Sequence, residues 1–269
     1  MKAIVSTAWL KENLDHPKLV ILYSNLGDQE TPNYIPNSRL FDIKNTFSNL
    51  ESEFPNTFPI ATSFQEKCQE IGIHNDSVIV VYDARNTFSS PRVWWLFKTM
   101  GHQNVAVLNG GLQAWKNKSY PTTKTLVFAH KKGDFFANLK PQSVKNIDFI
   151  QQNLTTQQSL IIDARSADRF NGLVPEARKG LRSGHIPNSI NIPYQKVLSD
   201  GKFKSVAELK EIFKNIPEHK PLVFSCGSGV TACVVLLAAQ QVIENKMAIY
   251  DGSWTEWGTL IKDKSSKEY

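Results

Sequence analysis

Residues 221–233 read Pro-Leu-Val-Phe-Ser-Cys-Gly-Ser-Gly-Val-Thr-Ala-Cys, an apolar run that leads into a glycine-containing turn and a second apolar stretch. The first run is typical of a buried strand, and the stretch that begins near Val230 is typical of a buried helix. Because Gly227 and Gly229 lie in the turn, it can direct several backbone N–H groups inward as an anion-binding nest. We therefore expect an α/β unit whose strand-to-helix turn holds Cys226.

The chain repeats itself about half a length apart. Residues 34–38, Tyr-Ile-Pro-Asn-Ser, return as His-Ile-Pro-Asn-Ser at 185–189. Residues 107–115, Val-Leu-Asn-Gly-Gly-Leu-Gln-Ala-Trp, match Ile-Tyr-Asp-Gly-Ser-Trp-Thr-Glu-Trp at 249–257. Two matches in the same order, with a strand-like run between them in each half, indicate an internal duplication.

Short β-rich runs alternate with helical segments in both halves, which predicts the α/β class with parallel sheets covered by helices. The predicted buried strands and helices are 77–82 and 221–225, and 63–71, 92–100, 206–213 and 230–243. We predict domains over 1–125 and 143–269, joined by a linker over 126–142 that has no clear period.

Composition narrows the class of protein. The 269 residues are 41% hydrophobic and 21% charged, and no apolar run approaches the ~18 residues of a membrane span, so we expect a soluble globular protein with no membrane partner. The net charge of +6 is spread along the chain, which argues against a nucleic-acid partner. The odd number of cysteines, three, and a start without a signal-peptide apolar core indicate the reducing cytoplasm.

Cys226 is the strongest chemical candidate. The N–H groups of the nest and the following helix end should favour its thiolate, which makes it a nucleophile at neutral pH. The same donors can hold the terminal sulfur of a persulfide, so one loop can serve both halves of a transfer cycle. The alternative is a small buried residue at a strand end, which two glycines in the turn argue against.

Other assignments of the cysteines are weaker. Cys233 lies among apolar helix residues and Cys68 has no chemical neighbour in sequence, so both are predicted to be structural. Cysteine-dependent phosphatases place an arginine six positions after the nucleophile, and this chain has Ala232 there. The loop therefore lacks the group that would clamp a phosphoryl oxygen.

The loop and three further motifs resemble the tandem rhodanese family, and the resemblance covers nearly the whole chain. The motifs are residues 226–232, 251–254, 183–187 and 91–95. The resemblance implies two tandem rhodanese-like domains, each a mainly parallel sheet flanked by helices, and a sulfurtransferase activity. Family members that use thiosulfate carry basic residues after the cysteine, whereas members that use 3-mercaptopyruvate carry Gly-Ser-Gly, as this chain does.

The resemblance also implies the roles of individual residues. Cys226 would carry the sulfur, and Arg169 and Arg178 would bind the carboxylate and keto oxygens of the donor. Ser228 would orient the donor thiol or relay its proton, or it is only a turn-forming serine. The other predicted donor-binding residues of the loop are Gly227, Gly229, Val230 and Thr231.

Three further features concern the surroundings of the site. Asp163 and Arg165 are expected to pair with each other rather than with the donor. In the first half, Asp83 or its neighbour stands where the second half has the nucleophile, so this half cannot carry sulfur. Members that use 3-mercaptopyruvate often carry a histidine where this chain has Asn56 or Thr57, which puts a histidine relay in doubt.

We expect an enzyme that moves sulfur from 3-mercaptopyruvate through a Cys226 persulfide to an acceptor, with release of pyruvate. The acceptor would be cyanide, a small thiol or a protein thiol such as that of thioredoxin, and no metal or organic cofactor is implied. The alternatives are a thiosulfate sulfurtransferase and a relay protein that takes persulfide sulfur from a protein partner.

Overall fold

The computed structural model describes residues 1–27 and 33–261, which divide into two compact units. The first unit contains the described residues of Met1–Glu51, Phe58–Pro141 and Asp200–Phe203. The second contains Ser52–Thr57, Gln142–Ser199 and the described residues from Lys204 onward. The boundaries inferred above for the two domains and their linker remain a prediction.

The first unit is an α/β layer structure. Its strands are β1 (Ile4–Val5), β2 (Leu19–Asn25), β3 (Ser38–Asp42), β4 (Val78–Tyr82) and β5 (Val105–Leu108). Its helices are α1 (Thr7–Glu12), α2 (Ala61–Glu70), α3 (Ser90–Thr99) and α4 (Gly111–Asn117). The strands form a parallel sheet in the order β1-β5-β4-β2-β3.

The second unit repeats this plan. Its strands are β6 (Val144–Lys145), β7 (Leu160–Asp163), β8 (Ser189–Asn191), β9 (Leu198–Ser199), β11 (Leu222–Ser225) and β12 (Met247–Tyr250). The intervening strand β10 (Lys202–Phe203) belongs to the first unit. The helices of the second unit are α5 (Ile147–Thr156), α6 (Ala167–Phe170), α7 (Val206–Phe213), α8 (Ala232–Ala239) and α9 (Ser253–Leu260), with 3₁₀ turns at Pro141–Ser143 and Tyr194–Val197.

The parallel sheet of the second unit has the order β6-β12-β11-β7-β8, which is the order of the first unit with each strand replaced by its counterpart. The α/β class and the tandem parallel sheets predicted from the sequence are therefore confirmed. Among the described helices, none is long and apolar enough to cross a membrane.

The helix α8 begins later than its sequence pattern suggests. The prediction was 230–243, whereas the helix runs over Ala232–Ala239. Its start is displaced because residues 226–231 form the loop, in which Gly229 takes φ +75°. All eight residues of α8 are buried, so the helix is held by apolar packing on every side rather than by an amphipathic face.

Cys233 lies inside α8 and Cys68 lies inside α2, and both are buried, as predicted for structural thiols.

The carboxylate of Glu256 lies against the motif of residues 251–254 and is partly buried. Glu256 of α9 folds back over Gly252, where a Cβ would collide with its carboxylate. Burial raises the pKa of Glu256 above its usual value, and the negative charges of Asp251 and Asp148 raise it further. Because the folded state favours the protonated carboxyl, the stability it contributes is present at acidic pH and is lost as the pH rises through the folded-state pKa.

We therefore expect Glu256→Gln to stabilise the second unit at pH 8, since the amide removes the cost of a partly buried charge. A rise in Tm of roughly 1–3 °C is expected, shrinking toward pH 5. Thermal unfolding followed by circular dichroism at both pH values measures this, with the exposed Glu244→Gln as control. A Glu256→Gln protein less stable than wild type by the same amount at both pH values would contradict the argument.

Candidate active site

Cys226 directly follows β11, and the end of α9 nearest to it fixes the start of its loop. The Cys226 N–H donates to Ser253 Oγ at 3.2 Å, and the Trp254 N–H donates to the Cys226 carbonyl at 2.9 Å. The Gly227 carbonyl accepts from both the N–H and the Oγ1–H of Thr255, at 2.9 and 2.5 Å. Only 2% of the Cys226 surface is exposed. The nucleophile candidate is thus held on a rigid, nearly closed turn.

Four backbone N–H groups of the loop are available to bind an anion. Within the described part of the chain, the N–H groups of Gly227, Ser228, Val230 and Thr231 donate to no protein acceptor. The Gly229 carbonyl instead accepts the S–H of Cys233 at 3.3 Å, which ties the loop to α8. Buried donors without acceptors are costly unless a ligand pairs with them. The loop residues predicted from the sequence thus lie in one strand-to-helix turn with Cys226, and their N–H groups can pair with a bound anion.

The two predicted donor-binding arginines converge on the loop. A Cβ added to Gly227 would lie 3.3 Å from Arg169 Nη2 and 3.9 Å from Arg178 Nη1. Arg169 belongs to α6 and its side chain is 29% exposed. Arg178 is exposed and its Nη1 donates to Thr255 Oγ1 at 3.0 Å. Two guanidinium groups thus flank the residue after Cys226, where they can bind a carboxylate in bidentate fashion.

Behind these arginines lies a buried ion cluster. Arg165 Nε donates to both oxygens of Asp163 at 3.1 and 3.0 Å, and its Nη2 donates to Oδ2 at 2.6 Å. Its guanidinium also lies 4.3 Å over the Trp254 ring. The pairing of Asp163 with Arg165 agrees with the sequence analysis. Neither residue is exposed enough to serve as the main contact for a donor.

Glu176 was missed by the sequence analysis, although it links the buried cluster to the loop. Its carboxylate accepts from Arg165 Nη1 at 2.7 Å and from Arg169 Nε at 3.2 and 3.3 Å, and it forms an ion pair with Arg169 Nη2. Its side chain is 1% exposed. The available signal was a lone acidic residue between the two predicted donor-binding arginines, two positions before Arg178.

Ser228 has one protein partner among the described residues. Its Oγ accepts a hydrogen bond from Asn56 Nδ2 at 2.9 Å, and Asn56 lies in the Ser52–Thr57 segment of the same unit. Of the two residues considered for this place, the structure puts Asn56 rather than Thr57 against Ser228. Since 172 positions separate the partners, no local pattern could have paired them.

In the first unit, the turn that corresponds to the Cys226 loop follows β4 and surrounds the carboxylate of Asp83. The Leu112 N–H donates to the Asp83 carbonyl at 3.0 Å, as the Trp254 N–H does to Cys226, so Asp83 occupies the place of the cysteine. The Asp83 carboxylate is 1% exposed and accepts five hydrogen bonds of 2.7–3.1 Å. The donors are the N–H groups of Arg85, Thr87, Ser89 and Ser90 and the hydroxyl of Ser90. In this half, the turn after the central strand binds an anion that the chain itself supplies.

The Rhodanese-like domain model matches the chain twice, over residues 6–118 and 147–260. The chain belongs to the rhodanese family. It is 36% identical over 266 residues to the 3-mercaptopyruvate sulfurtransferase of Escherichia coli K12, covering 94% of each chain. It is 35% identical over 274 residues to the thiosulfate sulfurtransferase of Rattus norvegicus, covering 95% of this chain and 92% of the relative.

Solved structures agree with this assignment. The crystal structure of SseA from Escherichia coli, a 3-mercaptopyruvate sulfotransferase, superposes with a TM-score of 0.84 at 34% identity. The match covers 94% of this chain and 99% of SseA. Similarity to these enzymes over nearly the full chain makes this rhodanese a sulfurtransferase.

We expect Asp83→Asn to destabilise the first unit by about 2–4 kcal/mol, because an NH₂ group would replace one acceptor facing buried N–H donors. The amides of Ser89 and Ser90 should also exchange their hydrogens faster. Urea denaturation and native-state hydrogen exchange measure the two effects. The control is Asp76→Asn at the exposed pair with Lys18, for which a change below ~0.5 kcal/mol is expected. Equal stability of the two variants would refute the anion-nest interpretation.

Glu176→Gln should destabilise the second unit by about 2–4 kcal/mol, since it removes the negative charge that two guanidinium groups share. The urea midpoint of that unit measures the loss. Glu211→Gln, which breaks an exposed pair with Lys214, is the matched control and should change the stability by less than ~0.5 kcal/mol. An unchanged midpoint for Glu176→Gln would show that Asp163 alone neutralises the buried cluster.

Proposed function

We propose that this sulfurtransferase takes sulfur from 3-mercaptopyruvate onto Cys226 and passes it to a thiol or cyanide, with release of pyruvate. The observation that carries the proposal is the convergence of Arg169 and Arg178 on Gly227. A donor whose carboxylate and keto oxygens engage these two guanidinium groups would bring its sulfur to the residue next to them in the chain, Cys226.

The loop chemistry supports 3-mercaptopyruvate over a dianionic donor. Residues 227–229 are Gly-Ser-Gly and carry no charge, and the cations that lie beside Gly227 among the described residues are the guanidinium groups of Arg169 and Arg178. A monoanionic keto acid needs cations at its carboxylate end only, whereas thiosulfate would profit from positive side chains beside the sulfur itself.

The first half-reaction is balanced without a cofactor. The Cys226 thiolate attacks the donor sulfur, the carbon–sulfur bond breaks, and its electron pair leaves on the enolate of pyruvate. The proton of the donor thiol then goes to the enolate carbon. The products are pyruvate and the Cys226 persulfide anion, so the two sulfurs are each oxidised by one unit and the departing carbon is reduced by two. The unpaired loop N–H groups would stabilise the persulfide charge.

In the second half-reaction, an acceptor thiolate or cyanide attacks the outer sulfur and Cys226 leaves as a thiolate. We propose a small thiol or the thiol of a protein such as thioredoxin as the acceptor. The three cysteines of the described chain are free thiols, which fits a reducing compartment, and we propose the cytoplasm.

A second candidate donor is thiosulfate, which the similarity to the rat thiosulfate sulfurtransferase favours. The two donors bind the same cysteine but place different demands on the loop. Thiosulfate has no keto group, so it would use the arginines only as a source of charge.

The test is pyruvate release with 3-mercaptopyruvate and dithiothreitol, measured beside thiosulfate with cyanide. Wild type should favour 3-mercaptopyruvate by at least about tenfold in kcat/KM, and Cys226→Ser should lose about 10³-fold or more of the rate. Cys233→Ala, which changes a buried thiol in the same segment, should stay within a few-fold of wild type. Mass spectrometry should detect one added sulfur atom on Cys226 after donor treatment.

The opposite results are equally informative. A kcat/KM that favours thiosulfate would replace the donor and keep the cysteine. If Cys226 gains no sulfur from either small donor but gains it from a persulfide-bearing protein, the chain is a sulfur relay, and the 3-mercaptopyruvate assignment is wrong.

A further inference from the structure

The hydrogen bond between Asn56 and Ser228 places an amide in direct contact with the loop, two residues after the nucleophile. Asn56 Nδ2 donates to Ser228 Oγ at 2.9 Å, and Ser228 is 9% exposed. Asn56 also adopts φ +60°, in the left-handed region that asparagine tolerates better than most residues. The backbone at this position thus presents a short amide side chain to the serine.

We propose that Asn56 is a positioning residue that fixes the Ser228 hydroxyl as a hydrogen-bond donor to the group reacting at Cys226. It follows that the pair does not relay a proton. This inference rests on the proposed function, because it assigns a role to Ser228 within that reaction.

The hydrogen-bonding capacity of a hydroxyl leads to this conclusion. A serine hydroxyl has one proton and two acceptor lone pairs. Asn56 occupies a lone pair, and within the residues that the structure describes the Ser228 hydroxyl proton has no protein acceptor. The proton is therefore left to donate to a molecule bound in the loop. If Asn56 were an acceptor instead, the proton would turn away from that molecule.

The chemistry of the amide excludes a relay through this pair. A carboxamide neither gains nor loses a proton in the physiological pH range, so it cannot accept the Ser228 proton and return it. The hydroxyl can therefore stabilise negative charge on the leaving enolate by donation while keeping its proton. The enolate carbon takes its proton from the donor thiol, which leaves the balance given above unchanged.

Among the described residues, the ionisable groups beside the loop are Cys226, Arg169 with its partner Glu176, and Arg178. They contribute to the pH profile of wild type and of every variant at Asn56. Dividing the rate of a variant by the wild-type rate at each pH removes this shared contribution and leaves the effect of position 56.

Two variants at Asn56 separate donation from mere packing. Asn56→Gly tolerates the positive φ and removes the amide, and it should lower kcat about 5–30-fold at every pH with little change in KM. Asn56→Asp has the same shape, but its carboxylate can only accept. It should lower kcat about 10–100-fold relative to wild type at pH 8, and the loss should shrink as the pH falls toward about 4, where a growing fraction of the carboxyl is protonated and can donate.

The same two substitutions in a Ser228→Ala background are the deciding control. If Asn56 acts through the hydroxyl, neither should lower kcat by more than about twofold there. Equal losses with and without Ser228, or an Asn56→Asp rate ratio that does not depend on pH, would overturn the proposal.

A failure of the proposed function would be recognised separately. Wild type that releases no pyruvate and forms no adduct refutes the reaction, and the Asn56 variants are then compared by the rate at which iodoacetamide alkylates Cys226. Slower alkylation in the Asn56 variants that disappears without Ser228 supports the positioning role, because a hydroxyl donor favours the thiolate. An effect that is absent, or the same without Ser228, contradicts it.

Discussion

The guanidinium of Arg165 is buried among groups from separate segments of the second unit: the end of β7, the loop that carries Glu176, the Gly184 carbonyl and the ring of Trp254. A buried cation of this kind persists only where carboxylates neutralise it and its N–H groups are satisfied. Glu176 also pairs with Arg169 and so fixes the position of that guanidinium. Trp254, which packs on Arg165, donates its N–H to the Cys226 carbonyl and so holds the start of the loop. The loop and its arginines thus share one buried ionic support.

Most of the fold followed from the sequence, because its signals are local. The repeated motifs predicted two copies of one α/β plan, and the strand order shows both. The helix 206–213 was predicted with its observed bounds, and in the structure a capping box between Ser205 and Glu208 fixes its start. The start of α8 was wrong by two residues, because the loop continues through Gly229, with φ +75°, to Thr231 at the N-cap of the helix.

The candidate site was predictable only in part. Cys226 and the loop glycines carry a local signature, and the arginines came from the family resemblance. The roles of Glu176 and Asn56 depend on contacts that form only after folding, one across an ion cluster and the other across 172 positions. Such pairings leave no periodicity in the sequence. The duplication helps to interpret the site. In the first unit, the backbone N–H groups of the corresponding turn donate to the Asp83 carboxylate, which indicates that this kind of turn binds an anion.

The space at Gly227 bears on how rhodaneses of this kind could change donors over evolutionary time. A Cβ at Gly227 would lie 3.3 Å from Arg169 Nη2, so even a small side chain there needs that guanidinium to shift by a few tenths of an ångström, and a basic one would also meet two like charges. A substitution in the loop is therefore coupled to the positions of the two arginines beside it. We expect the effects of substitutions at these three positions to be interdependent rather than additive.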